Sequence, residues 1–360
     1  MKKIILLLFL TSLFALPRFA IEEGSRCINC HVNPSGSGMR NDYGSNVYTL
    51  DELTIRKWIS KGNEDWDGYI TDFIQIGGEF RIQSFNTESD SRLFPMQAEL
   101  YTKIDINKSA DLYFETSLDG SNYEYFVLFN DLPKKGWIKL GKSSPTYGLM
   151  IDDHTSFIKS GNGTLLNSDD RNLDIGFRNL FNPMDSKPII IEGSTSLLEN
   201  MYLTMSASTS LLGVDKENFD NYSATLTYNG KINNTPYMVG SSIMIENDLD
   251  LRGVFGGFYF NNTAITFESD WAKNLLDYID ESFACYAQVA YEPYQGMNFI
   301  LKYDYFDPNY NYTTDSMTRI SYGFEVYPLN FLELKVQIRT HTSESFDFED
   351  EYLIQVHTWF

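Results

Sequence analysis

Long apolar runs are what this 360-residue chain has least of. Beyond its first twenty residues no stretch approaches the ~20 continuous apolar residues of a transmembrane helix, which excludes a helical membrane protein. Basic residues are few: 28 Lys and Arg stand against 49 Asp and Glu, a formal charge of -21, and that sign disfavours nucleic-acid binding. A cationic protein partner remains compatible with it. Cysteine is scarce too. Cys285 is the one cysteine outside a single C-x-x-C pair, and the histidines other than His31 (His154, His341, His357) are scattered. A structural zinc site therefore finds no further ligands at ligand spacing, and no βαβ context surrounds the pair as a thioredoxin-like motif would require. No Ser-His-Asp order, glycine-rich phosphate loop or paired-carboxylate spacing stands out, and no repeat has a propeller or solenoid period.

What is present begins at the N-terminus. Met1-Lys2-Lys3 precedes residues 4–10, all apolar, and apolar residues continue to Leu16. A positive start and a short apolar core describe a secretory signal, assigned to residues 1–20. Ala20 would precede the cut, although Arg18 two residues earlier is not the small residue expected there; Ala15 is the alternative. Neither site has a cysteine beside it, so a lipoprotein signal is not supported.

From about residue 68 to the end the apolar pattern has period two. Met201, Leu203, Met205 and Ala207 alternate with Tyr202, Thr204, Ser206 and Ser208, and Tyr222, Ala224, Leu226 and Tyr228 alternate with Ser223, Thr225 and Thr227. Ile265, Phe267 and Trp271 oppose Thr266, Glu268 and Asp270; Leu332, Leu334, Val336 and Ile338 oppose Glu333, Lys335, Gln337 and Arg339. Each stretch reads as a strand with one apolar and one polar face. Turn-forming clusters separate them at 86–91, 246–248, 261–262, 307–309 and 344–351, with tight turns expected at Asn229-Gly230 and at 292–296. A soluble sandwich would bury the apolar faces between two sheets, whereas an outer-membrane barrel turns them to lipid. Charged residues in mid-strand, 24 Tyr and 26 Phe, and aromatics near strand ends favour the barrel. The last nine residues, Tyr352 through Phe360, alternate up to a terminal Phe, and this ending resembles the closing strand of bacterial outer-membrane proteins. The fold expected is all-β: a transmembrane antiparallel barrel of roughly 16 strands over residues 68–360.

Residues 21–67 carry a different signal. Cys27-Ile28-Asn29-Cys30-His31 is a C-x-x-C-H string, the attachment signature of haem c. Two thiols three positions apart each form a thioether to the porphyrin edge, and the adjacent imidazole binds iron. A disulfide or redox dithiol is the second reading of the pair, zinc the third. Asn33-Pro34-Ser35-Gly36-Ser37-Gly38 forms turns and is expected to wrap against something flat; Leu50, Ile55, Trp58 and Ile59 share a helix face. The segment reads as a small, mostly helical and loop unit that needs a staple, either haem or docking to the larger domain.

His31 is the expected proximal iron ligand, with Cys27 and Cys30 the thioether anchors. The distal ligand, which sets potential and reactivity, has two candidates. His154 sits in the unusual stretch 144–171, where the alternation lapses, beside Asp152 and Asp153, which would orient its ring; a solvated loop histidine is its plainer reading. Met39 is the other, against the plainer reading of an apolar contact covering the haem edge. A structureless loop of that length is usually functional or disordered; in a barrel it would fold inward as a constriction or reach a haem at the mouth. Arg40 is placed by proximity to pair with a propionate. His341 and His357 fall on the lumen parity of their strands, and Cys285 on the outer parity with Phe283 and Ala287 as a small hydrophobe.

The whole chain resembles a mono-haem c-type cytochrome segment fused to a porin-like outer-membrane barrel, a layout of bacteria that move electrons across the envelope. It differs from multihaem conduits in holding a single C-x-x-C-H. The resemblance implies one covalent haem c, single-electron transfer between a periplasmic redox partner protein and another carrier, an outer-membrane location with the haem segment on the periplasmic side, and an electron carrier rather than an enzyme. The alternative is a passive porin for small solutes whose haem segment is a plug or sensor. A haem enzyme such as a peroxidase is a third possibility.

Overall fold

The structure, a computed structural model, describes residues 17–55, 68–118, 123–151, 153, 155–159, 187–211, 218–276, 279–312, 314–344 and 348–360. A three-residue strand β1 (Tyr69–Thr71) leads into sixteen longer ones. These are β2 (Ile74–Asn86), β3 (Ser91–Asn107), β4 (Ala110–Ser117), β5 (Tyr123–Leu132), β6 (Gly136–Lys142), β7 (Ile189–Leu198), β8 (Met201–Thr209) and β9 (Phe219–Ile232), followed by β10 (Thr235–Glu246), β11 (Leu249–Phe260), β12 (Thr263–Leu276), β13 (Ile279–Tyr294), β14 (Met297–Asp307), β15 (Met317–Leu329), β16 (Leu332–Ser343) and β17 (Glu351–Trp359). Each pairs antiparallel with its sequence neighbours, and β17 pairs back onto β2 from Tyr352↔Asn86 to Trp359↔Glu79, closing a 16-strand barrel. The strand that ends in the terminal aromatic is thus the one that removes the last sheet edge.

Sandwich and barrel are separated by which face is covered. On β12, Phe267 and Trp271 are exposed while Thr266, Glu268 and Asp270 are buried; on β14, Phe299, Leu301 and Tyr303 are exposed while Lys302 and Asp304 are buried. An apolar exterior around a charged interior is unfavourable in water and stable in lipid. The parity read from Leu334, Val336 and Ile338 holds, with Glu333, Lys335, Gln337 and Arg339 all buried inside. Cys285 lies on the outer parity as expected. No described helix is long and apolar enough to cross a membrane.

At one end, short links join the strands at 108–109, 133–135, 199–200, 233–234, 261–262, 295–296 and 330–331; the long connections, 143–188 among them, lie at the other. Asparagine pairs in the left-handed region make two of the tight links, Asn233-Asn234 (φ 49°, 66°) and Asn261-Asn262 (φ 47°, 58°), as two-residue hairpins require. The turn expected at Asn229-Gly230 is not formed there. Asn229 pairs with Met238 and Gly230 with Tyr237 inside the β9–β10 ladder, because the register carries the chain three residues further before it reverses.

The larger difference concerns the N-terminal segment. Residues 17–55 are not a separate module at the mouth; they lie inside the barrel. Helix α1 (Pro17–Glu22) packs against β10, β11 and β12. Buried Arg18 forms an ion pair with Glu325 of β15 and donates to the Tyr327 hydroxyl (3.2 Å). The boundary drawn at residue 20 therefore cuts through an element of this plug. The segment enters from the short-link end, where the Ile55 amide donates to the Tyr327 carbonyl (3.0 Å) and Gln295 donates to the Asp51 carbonyl (2.9 Å). Breaking a buried ion pair costs about 3–5 kcal/mol. Of the two leader cuts, only the one after Ala15 keeps Arg18, so N-terminal sequencing of the mature protein is expected to read through Arg18; a mature chain starting at Ile21 would contradict the pairing.

Candidate functional site

The plug is organised by its C-x-x-C-H turn. Cys27–Asn29 is one turn of 3-10 helix, in which the amides of Cys30 and His31 both donate to the Cys27 carbonyl (3.0 and 2.9 Å). The chain then folds back on itself: His31 bridges Arg40, and the Val32 amide donates to the Met39 carbonyl (3.0 Å). Gly36, Ser37 and Gly38 all have positive φ (86°, 64°, 62°), and this curl turns the Ser37 and Gly38 carbonyls onto His31 Nδ1 (3.1 and 3.3 Å). Two carbonyls can only accept, so Nδ1 carries the proton and Nε2 holds the lone pair. Burial, reinforced by the Arg40 guanidinium, lowers the His31 pKa to about 3, so the ring is neutral at physiological pH. The π-helical stretch Tyr43–Leu53 seats on the same turn through Gly44, where any Cβ would stand 2.2 Å from the Cys30 carbonyl oxygen.

The wall grips this turn with charge. Lys139 of β6, fully buried, pairs with Glu192 of β7 (3.0 Å) and donates to Ser35 Oγ (3.0 Å) and Asn33 Oδ1 (3.3 Å). Asn33 Nδ2 donates to Glu124 (2.9 Å), and Ser35 Oγ to Glu192 (3.1 Å). The turn expected to lie on something flat thus lies on the polar barrel wall. Beside it Val32 and Met39 join an apolar cluster with Tyr101, Tyr113, Phe126, Leu128 and Trp137.

The lapse in alternation after β6 marks a chain that crosses the lumen. The Gly148 amide donates to Ser242 Oγ (3.0 Å), the Leu149 amide to Glu268 (3.0 Å) and the Phe157 amide to Asp304 (3.2 Å). Asp153 pairs with Lys302 (2.8 Å) and Arg339 (3.7 Å); these cations hold its carboxyl well below the usual range.

Between loop, plug and wall lies a small cavity of about 90 Å³, lined among others by Cys27, Ile28, Trp137, Met150, Met238 and Phe255. Two thiols stand unpaired at the spacing that haem c requires, and backbone carbonyls hold the second nitrogen of His31; of the three motif residues Cys27 alone lines the cavity. The other readings of the cysteines find less support. Burial raises both thiol pKa values, Cys30 to about 12, the reverse of a reactive dithiol. Among the described residues no group of three His, Cys, Asp or Glu is placed to hold a metal ion.

Other expected residues fall in varied places. Met39 is buried in the cluster against the wall and does not line the cavity. His154 lies outside the described residues. Arg40 is buried with its guanidinium 4.7 Å above the Trp359 ring and within the field of the Glu79 carboxylate. Arg26, which sequence reasoning passed over although it directly precedes Cys27, lines the cavity with its guanidinium 4.0 Å over Tyr202. His357 accepts from Arg81 Nε (3.0 Å) and contacts Glu79, and His341 lies 3.5 Å from Glu351; both belong to the lumen lining.

No protein-family model and no curated protein sequence matches the chain. Solved structures do. OmpT of Vibrio cholerae in its trimer form aligns with a TM-score of 0.56 at 12% identity, over 80% of this chain and 99% of OmpT. The fold is that of a porin. OmpF of Salmonella typhi in complex with daunomycin aligns at 0.53 with 13% identity, and the outer-membrane channel DcaP of Acinetobacter baumannii at 0.52 with 10% identity, each over 80% of this chain and 97% of the other. A fifth of this chain lies outside each of these porin matches.

Lys139→Ala leaves buried carboxylates uncompensated, a loss of about 3–5 kcal/mol. Limited proteolysis is expected to cut residues 23–42 in that variant while the barrel stays folded on unboiled gels; an uncut segment would show that Lys139 does not hold the plug.

Proposed function

We propose that the chain is a porin-type barrel of the bacterial outer membrane held shut by its own N-terminal segment, and that this plug carries haem c through Cys27, Cys30 and His31. The observation that carries the reading is burial of residues 17–55 against charged lumen groups. A 16-strand barrel encloses an aqueous channel when its lumen is free; here a route for small solutes opens when the plug gives way. Outer-membrane barrels keep their short turns on the periplasmic side, which puts the entry of the plug there.

A second reading, electron transfer, is favoured by the His31 geometry. Haem c, when bound, supplies a one-electron ferric/ferrous couple. His31 would offer Nε2 as a neutral ligand, with its tautomer set by the Ser37 and Gly38 carbonyls. A periplasmic redox partner protein would dock at the short-link end, where Glu22, Glu23, Glu52 and Glu292 line a recess; its docking face would be basic.

Two measurements test these readings separately. In planar bilayers the full chain is expected to conduct poorly and a chain lacking residues 21–55 several-fold better; equal conductance would remove the plug from the account. When the protein is produced with a c-type maturation system, peroxidase staining and a reduced-minus-oxidised spectrum are expected to show covalent haem that Cys27→Ala and Cys30→Ala abolish. A wild-type chain without it ends the haem reading and leaves the plugged channel.

A further inference from the structure

We propose that chloride binds where plug, inward loop and barrel wall meet, and that it holds the plug in place. The site goes beyond the function proposed above and does not depend on haem. It begins with Arg18. This residue is 2% exposed, and its Nη2 is taken by Glu325 and the Tyr327 hydroxyl. Its Nε and Nη1 have no hydrogen-bond partner among the described residues. Buried donors without a partner are rare, and each calls for an explanation.

Arg18 lines a pocket of about 10 Å³. The inward loop brings Asp153 to it, β13 brings Tyr286 and Gln288, and β14 and β16 bring Lys302 and Lys335. Cations thus outnumber carboxylates in the lining. Asp153 is itself shared between Lys302 (2.8 Å) and Arg339 (3.7 Å), while Glu325 pairs with both Arg18 and Lys335 (3.5 Å). Gln288 accepts the Tyr286 hydroxyl at Oε1 (2.8 Å) and so adds an amide donor. A lining of guanidinium, ammonium and amide donors suits a ligand that only accepts. The space is about that of one water-sized sphere, which admits a monatomic anion and excludes a carboxylate or phosphate group. Water would satisfy the donors but would leave the charge uncompensated. Chloride does both, and it ties α1 to β14 and β16.

The test compares purified mature protein in lipid nanodiscs in chloride and in gluconate, at equal ionic strength. Gluconate is too large for the pocket. The readout is hydrogen exchange of the Glu23 and Gly24 amides, which donate to the Phe19 and Ile21 carbonyls (3.0 and 2.9 Å), measured against strand amides. Expected is several-fold slower exchange in chloride. Lys335→Gln is expected to reduce that effect, and Arg252→Gln, at an exposed position, to leave it unchanged; folding of both is checked on unboiled gels. Crystals of the wild type grown with bromide are expected to show an anomalous peak beside Arg18, Lys302 and Lys335. Water alone at that position, or slow exchange that ignores the anion, overturns the site, as does a mature chain lacking Arg18. Fast exchange in both solutions is a different result: it unseats the plug itself and the site with it.

Discussion

Strands that give their apolar side chains to lipid must point the alternate ones inward, and in this barrel many of those are charged. Buried charge is tolerated when it is paired and hydrogen-bonded. A 16-strand lumen leaves room for water to do that, but here the chain does it with its own parts. Glu268 and Asp304 accept backbone amides from the loop after β6. Glu246 accepts the Leu211 amide and Asn221 Nδ2, both at 2.9 Å. Lys139 and Glu192 take the Asn33–Ser35 turn of the plug, and Glu325 takes Arg18. Hydrogen bonds with one charged partner are the stronger kind, so plug and loop are fixed by what the wall requires.

From that constraint follows the difference between this chain and an open pore. Its wall is a porin wall, while its interior is occupied by a segment whose one distinctive motif is C-x-x-C-H. The segment is held by polar contacts around Lys139 and Arg18 and by two apolar seats, one at Val32 and Met39, the other at Tyr48 and Leu53 against Tyr327 and Trp359. A cofactor tethered at Cys27 and Cys30 would therefore sit within the barrel wall and not at its mouth.

The wall was legible in the sequence because strand parity is a local rule: Val336 and Lys335 declare their faces without knowing what lies opposite. So were the C-x-x-C-H turn, which closes within five residues, and the lapse in alternation that marks the inward loop. The plug's location was not legible. It depends on pairs such as Arg18–Glu325 and Ser35–Lys139, hundreds of residues or about a hundred apart, which no window along the chain contains. Asn229-Gly230 failed for a related reason, since register with β10 overruled local turn chemistry. Arg26 was missed because its place beside the cavity depends on plug, loop and wall together.

The claim on which the account stands is that residues 17–55 are folded within the barrel, and hydrogen exchange in lipid nanodiscs tests it directly. The amides of Cys30, His31 and Val32, bonded to the carbonyls of Cys27 and Met39 inside a filled lumen, are predicted to exchange as slowly as those of the strands, because protection reports the free energy of local opening. Exchange of that segment within seconds, beside a protected barrel, would place it outside the lumen and contradict the account.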